Sequence, residues 1–274
     1  MGLRVNTNIA SLTAQRNLGL VTSRLSGNFS RLSSGLRIAT AADDAAGLAI
    51  SERMRSQIRS LGAASRNAQD GISLVQTAEG ALNEVSNLLG RMRELAVQAA
   101  NGTLSTADRT TINTEIIALQ SEMDRIATTS TFNGINLLDA AQTVDIQVGI
   151  NANEVIGVQL QDIQAATLGV DQAAVNTTTA ANASTSLGLL DTAIDTINSV
   201  RGDLGASQNR LQSSISSILN SKENLSAAES RIRDVDVAYE TADLTRNTIL
   251  QQAATSVLQQ ANTQPQIALS LLQG

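Results

Sequence analysis

Leu190, Ile197, Leu204, Leu211, Ile218, Leu225 and Ile232 follow one another at intervals of seven without a break. No other feature restricts the fold of this chain as much. A strict seven-residue apolar repeat keeps one face of a helix in line only when that helix packs lengthwise against other helices. Leu187, Ile194 and Ile215 supply the partner positions, whereas Arg201, Gln208, Lys222 and Glu229 interrupt them, so the seam is wettest there. A helix from Leu187 to Ile232 would be ~70 Å long at the standard rise, which is a rod rather than part of a single globule.

Three more helices are predicted by the same periodicity. The first spans about Asn8 to Leu36, with Ile9, Leu12, Leu18, Val21, Leu25, Phe29, Leu32 and Leu36 recurring mostly at steps of three and four. The second runs from about Asp44 to Ala100. It carries Leu61, Ala68, Val75, Leu82, Leu89 and Ala96 at sevens and Ala78, Val85, Met92 and Ala99 beside them, and Asn101-Gly102 marks its end. In the third, Ser105 and Asp108 resemble a capping box ahead of Ile112, Ile116, Leu119, Met123 and Ile126. After Asp234 and Asp236 a last amphipathic stretch runs from Thr241 to Gly274, with Leu244, Ile249, Leu250, Ala254, Val257, Leu258 and Ala261 as its apolar face. Pro265 is expected to interrupt or kink it. Thr143–Val148 and Val155–Leu160 alternate apolar and polar residues around an Asn151-Ala152-Asn153 turn and predict one small hairpin, which needs helices to rest on. Asn176–Ser186, made almost wholly of Thr, Ala, Asn and Ser, reads as a surface loop. The fold class is therefore mainly α: an elongated antiparallel helical bundle or coiled coil with one small β-hairpin.

Composition agrees with helices packed through small residues. Phe29, Phe132 and Tyr239 are the only aromatics, and there is no Trp, Cys or His among 274 residues. A chain without Cys and His lacks the usual ligands for zinc, haem and iron–sulfur sites and has no thiol nucleophile or imidazole base. No catalytic, metal or cofactor residues are assigned, and no enzymatic activity is expected. A net charge of −6 argues against a nucleic-acid partner, and no apolar run is long enough to span a bilayer. Residues 1–60 hold eight Arg against Asp43, Asp44 and Glu52, while 141–186 hold four acids and no base. That asymmetry reads equally as a guide between the ends of two subunits or as a solvated face. Adjacent Asp43 and Asp44 do not share a helix face, so they suit a helix start better than a metal site.

Helices of the terminal kind gain their stability from packing. Paired with each other they bury one stripe each, leaving Leu20 and Val5 wet in a lone chain. The expectation is that Ile9, Leu12, Leu18, Leu25, Leu32, Leu250, Val257, Leu258, Leu269, Leu271 and Leu272 are buried on assembly. The line Leu190, Ile197, Leu204, Leu211, Ile218, Leu225 and Ile232 forms the core of a rod. Contacts between unlike surfaces build open helical filaments when the rotation does not close.

Asn6-Thr7-Asn8-Ile9-Ala10-Ser11-Leu12 with Gln15-Arg16-Asn17-Leu18, then Arg31-Leu32-Ser33-Ser34-Gly35-Leu36-Arg37-Ile38 and Ala41-Ala42-Asp43-Asp44-Ala45-Ala46-Gly47, resemble the start of bacterial flagellins. Ala261-Asn262, Pro265-Gln266 and Leu269-Ser270-Leu271-Leu272 resemble that family's C-terminus. The region near 165–186 departs from the many flagellins that insert large variable domains there, so the chain resembles a core-only form. The resemblance implies a structural subunit that self-assembles into the extracellular flagellar filament and gives motility. Residues 1–42 with 236–274 would form the filament's inner tube, 43–142 with 187–235 the outer helical rod, and 143–186 the hairpin and a short surface loop. It further implies type III export without a cleaved signal peptide. The implied partners are copies of the same chain, an export chaperone, the filament cap and the hook-associated junction proteins.

Arg91-Met92-Arg93-Glu94-Leu95-Ala96-Val97-Gln98 resembles the segment read by the Toll-like flagellin receptor, which implies host contacts at Arg91, Leu95 and Glu115. Met92, Ala96 and Ala99 equally continue the apolar stripe. A hook–filament junction protein shares such terminal helices and is the alternative within the class. A coiled-coil binding module of fixed mass is the alternative outside it.

Overall fold

The computed structural model describes residues 7–273, with side chains described as far as Gln264. Five helices are described: α1 (Ile9–Ser34), α2 (Ala45–Ala100), α3 (Thr106–Thr129), α4 (Ala180–Arg233) and α5 (Val237–Gln273). Four strands, β1 (Thr131–Phe132), β2 (Ile135–Asn136), β3 (Gln142–Gln147) and β4 (Val155–Leu160), form two antiparallel hairpins. The chain adopts the expected mainly helical fold with its small β-hairpin, β3–β4, and adds a second, two-residue hairpin, β1–β2. It divides into two compact units, Met1–Ser56 with Asn224–Gly274, and Gln57–Glu223.

Within Gln57–Glu223 the heptads close on one another. The predicted α2 lines Leu61, Ala68, Val75, Leu82, Leu89, Ala96 and Ala78, Val85, Met92, Ala99 are all buried, as are Leu190, Ile197, Leu204, Leu211 and Ile218 of α4. Burying each large aliphatic side chain stabilises by about 1.5–3 kcal/mol, so this seam carries the unit. The helices run antiparallel. Arg93 Nε donates to Asp191 Oδ1 at 2.6 Å, and Arg201 lies 3.6 Å from Glu79 further along. Helix α3 starts at the Ser105–Asp108 capping box, with both reciprocal hydrogen bonds made, and adds Ile116 and Met123 to the core.

Strands β3 and β4 pair from Gln142 opposite Leu160 to Gln147 opposite Val155. Ile156, Val158 and Leu160 point inward. Gly71 of α2 is where the hairpin seats: a Cβ there would lie 3.1 Å from Ile146 Cγ1 and 3.3 Å from Leu211 Cδ1. Asn67 Nδ2 also donates to the Gln147 carbonyl at 3.2 Å. The second hairpin turns through Asn133 (φ 49°) and Gly134 (φ 79°), left-handed positions that Asn and Gly tolerate.

Three local expectations give way. Residues 180–186, expected in a surface loop, are the first turns of α4, because Thr179 Oγ1 accepts from Asn182 N at 3.2 Å and starts the helix. Ala183 and Ser186 there are buried, as is Thr177. Segment 161–179 is strapped to α3: Asn113 Oδ1 accepts from Thr177 N, Gln120 Nε2 donates to the Val170 carbonyl, and Asp124 Oδ1 accepts from Ala165 N. Pro265 does not end the last helix, which continues to Gln273. Proline removes one donor from the ladder, and the bonds on either side carry the helix past it. Leu225 and Ile232, the last two steps of the α4 heptad, are half-buried rather than core. They belong to the other unit, whereas α3 and the large hairpin belong to Gln57–Glu223.

In the unit Met1–Ser56 with Asn224–Gly274, α1 and α5 pack antiparallel. Asn8 Nδ2 donates to the Ala261 carbonyl at 2.7 Å, and Asn28 Nδ2 donates to Glu240 Oε1 at 2.6 Å. Gly35 (φ 71°) caps α1 in the left-handed conformation. The connectors after α1 and before α5 meet: Leu36 pairs with Asp234, and Val235 N donates to the Gly35 carbonyl at 3.0 Å. Asp44 Oδ1 accepts from Gly47 N at 2.9 Å and caps α2, the helix-start role expected of it.

Candidate functional site

Each terminal helix has one closed stripe and carries further large apolar residues that stay exposed. On α1 the covered positions are Ser11, Ala14, Leu18, Val21, Leu25, Asn28 and Leu32, alternating steps of three and four. On α5 they are Glu240, Leu244, Asn247, Gln251, Ala254, Leu258 and Ala261, again at fours and threes. These two heptads face each other. At 100° per residue, Ile9, Leu12 and Leu20 fall on the far side of α1, and Ile249, Leu250 and Val257 lie away from the seam of α5. All six are exposed, from Leu250 at 43% to Ile9 at 62%. Phe29 and Tyr239 are exposed as well.

The residues expected to act in assembly therefore split. Leu18, Leu25, Leu32 and Leu258 lie in the intrachain seam and are half-buried. Ile9, Leu12, Leu250 and Val257 face solvent, as does Leu20, which was expected to stay wet. Leu269, Leu271 and Leu272 lie outside the residues whose side chains are described, and Val5 lies outside the described residues. Sequence periodicity misses the polar members of the seam. Asn28, Glu240 and Asn247 are buried, and Asn247 Nδ2 donates to Asn28 Oδ1 at 2.9 Å. Tracing a strict three-four alternation through Leu18, Val21 and Leu25 leads to Asn28 and Leu32, so the signal was present, masked by Ile9, Leu12 and Phe29 in other phases.

Charged side chains tie the base of this unit together. Arg233 Nη1 donates to Glu52 Oε1 at 2.5 Å, and that hydrogen bond, with help from Arg55, holds the Glu52 carboxyl below the usual range. Asp43 is held low chiefly by donors from Thr40, with a smaller contribution from Arg31 at 3.9 Å.

At the other candidate surface, Arg91 Nη2 donates to Glu115 Oε1 at 2.9 Å and Nη1 to Glu94 Oε2 at 3.1 Å. Glu115 is the main cause of the raised Arg91 pKa. Both partners are exposed. Leu95, expected to share that surface, is 2% exposed. It faces the core beside Met92 and Ala96, so its side chain is not available to a receptor. Among the described residues no cluster of three metal-ligating side chains occurs and no helix is long and apolar enough to cross a membrane. A shallow open cleft between α2 and the tip of the large hairpin is lined by Ser60, Asn67, Gln147 and Asn151, with no titratable group.

Comparison with known proteins agrees with this architecture. The family described as "Bacterial flagellin N-terminal helical region" matches residues 5–143, and "Bacterial flagellin C-terminal helical region" matches 187–272. The chain is 48% identical to a flagellin of Halalkalibacterium halodurans over 98% of its own length and 99% of that protein's. It is 47% identical to a flagellin of Bacillus subtilis over 98% of its length and all of that protein's. A crystal structure of Bacillus cereus flagellin superposes with a TM-score of 0.50 at 34% identity, covering 56% of this chain and 88% of that one. With both terminal regions and nearly the full length matched, the chain belongs to the bacterial flagellins, the structural subunits of the flagellar filament.

Proposed function

We propose that polymerisation runs through the outward apolar residues of α1 and α5. The observation that carries this reading is an exposed apolar face on a helix pair whose inner seam is already closed. Covering a half-exposed Leu or Ile gains about 1 kcal/mol. Ile9, Leu12, Leu20, Ile249, Leu250 and Val257 together supply several such gains per subunit, repeated along the polymer. A contact of α1 on one copy with α5 on another joins unlike surfaces, the geometry of an open helical filament. In this reading residues 1–42 with 236–274 form the inner tube around a central channel, 43–142 with 187–235 surround it, and 143–186 lie outermost. The buried line from Leu190 to Ile218 keeps the outer part rigid while the terminal pair adapts to neighbours.

The same reading carries export through the flagellar type III apparatus, with the chaperone and the filament cap engaging the C-terminal helix and hook-associated proteins meeting the first subunits laid down. Recognition by a host Toll-like receptor rests on the exposed Arg91 and Glu115. A chain lacking residues 241–274 tests the central point. It is expected to retain the helical content and thermal transition of Gln57–Glu223 while forming no filament on seeding, by electron microscopy. Normal filaments from that truncation would contradict the proposal.

A further inference from the structure

The α1–α5 seam is poorly suited to specifying its own alignment by apolar packing. Its covered positions include Ser11, Ala14, Ala254 and Ala261, and its Leu and Val members are only half-buried. Heptads built from small and similar residues accept a slip of seven at little cost, because every apolar position finds another apolar position. Yet two polar clamps interrupt this seam. At one end Asn8 Nδ2 donates to the Ala261 carbonyl, and Ser11 Oγ lies 2.7 Å from Asn262 Oδ1. Seventeen residues further along α1, Asn28 is buried against three side chains of α5. Its Nδ2 donates to Glu240 Oε1 at 2.6 Å and Asp243 Oδ2 at 3.2 Å, and its Oδ1 accepts from Asn247 Nδ2 at 2.9 Å. Asn247 Nδ2 also reaches Asp243 Oδ2 at 3.2 Å, and Arg31 Nη1 lies 3.7 Å from Glu240 Oε1. Asn28 thus uses donor and acceptor together.

We infer that buried Asn28, Glu240 and Asn247, with half-buried Asp243 beside them, form a register lock that holds α1 and α5 in one axial alignment. A slip of one heptad takes Asp243 away from Asn28 and leaves it facing only one of Glu240 and Asn247, which are themselves seven residues apart, so that the other is covered by apolar or mismatched neighbours, the costly case for a polar group. A polar residue at one core position sets register in coiled coils for this reason, at some expense of stability. The same slip displaces the outward residues of α1 from those of α5 by about 10 Å, seven residues at the helical rise. A neighbour shaped for one alignment of Ile9, Leu12 and Leu20 against Ile249, Leu250 and Val257 does not fit the other. The lock therefore sets which copies join a growing polymer; this consequence rests on the polymerisation reading, while the register itself does not.

The chain has no cysteine, so two can be introduced without interference. Spin labels at Gln15→Cys and Thr241→Cys, both exposed and well separated along the hairpin, report the axial offset by pulsed electron–electron resonance. The full chain is measured in soluble and in seeded, polymerised form, diluted with unlabelled chain. The parent sequence is expected to give one distance. The pair Asn28→Leu with Asn247→Leu is expected to add a second population shifted by up to about 10 Å, with slower elongation. The smaller pair Asn28→Ala with Asn247→Ala does the same if the leucines pack badly. One unchanged distance in both variants, or two distances in the parent, overturns the register lock. A parent chain that never polymerises overturns the polymerisation reading instead, and the soluble distances still decide the lock.

Discussion

Gly71 of α2 lies against both Ile146 of the large hairpin and Leu211 of α4, and a double-mutant cycle there reads out how the outer unit is packed. Leu211 is fully buried. Leu211→Ala removes three carbons from the junction and is expected to destabilise by about 2–5 kcal/mol, the range for buried leucines. Gly71→Ala has two opposing effects. Alanine gains about 1 kcal/mol of helix propensity over glycine, but its Cβ would sit 3.1 and 3.3 Å from Ile146 and 3.3 Å from Leu211 Cδ1. Overpacking of this kind costs about 1–3 kcal/mol, so the single variant is expected to be destabilised by up to about 2 kcal/mol. In the double variant Leu211 Cδ1 is gone and Ile146 can shift into the vacated space. The new methyl then fills part of the cavity, so the double variant should be more stable than the sum of the singles by about 1 kcal/mol, within the usual coupling range for touching residues. Urea unfolding of the four chains, followed by circular dichroism, measures this. Additivity within about 0.3 kcal/mol, or a double variant worse than the sum, would refute the three-way contact.

Two further outcomes follow from the hydrogen bonding. Ser105→Ala removes the capping box of α3 and should cost about 1 kcal/mol in thermal unfolding; an unchanged transition would mean that the box does not hold the start of α3. Asp43, Glu52, Asp108, Glu122, Glu154 and Asp191 are held below the usual carboxylate range by hydrogen bonds from Thr40, Arg233, Ser105, Arg125, Asn151 and Arg93 respectively. Their folded values lie below the unfolded ones of about 4, so their contribution is complete above that pH and is lost as acid carries the chain through the folded values. The melting temperature of the soluble subunit should be level from neutral pH to about 5 and fall below about 4.5; a fall beginning above pH 6 would contradict this.

The heptads of α2 and α4 were legible because each helix has one dominant stripe and that stripe is buried; Leu61 to Ala99 and Leu190 to Ile218 needed no tertiary knowledge. The hairpin was legible for the same reason, since period two admits one inward face. The terminal helices were harder. Each carries exposed apolar residues beside its closed stripe, and periodicity counts apolar residues without saying which a neighbour covers. Ile9, Leu12 and Phe29 were thus grouped with Leu18 and Leu25, although the seam separates them. The three-four alternation reaches the position of Asn28, but that its amide is buried against Asn247 is recognised only from the partner, which lies more than two hundred residues away along the chain. Residues 180–186 read as a loop from composition, but Thr, Ser and Ala also make a helix once Thr179 caps it and Ala183 and Ser186 find a core.

The decisive measurement is hydroxyl-radical footprinting of Leu12, Leu20, Ile249 and Val257 in the soluble subunit and in its polymer. Ready oxidation is expected in the subunit and a several-fold drop on polymerisation, as neighbouring copies cover these outward faces. Equal oxidation in both states would show that the terminal helices meet their neighbours elsewhere.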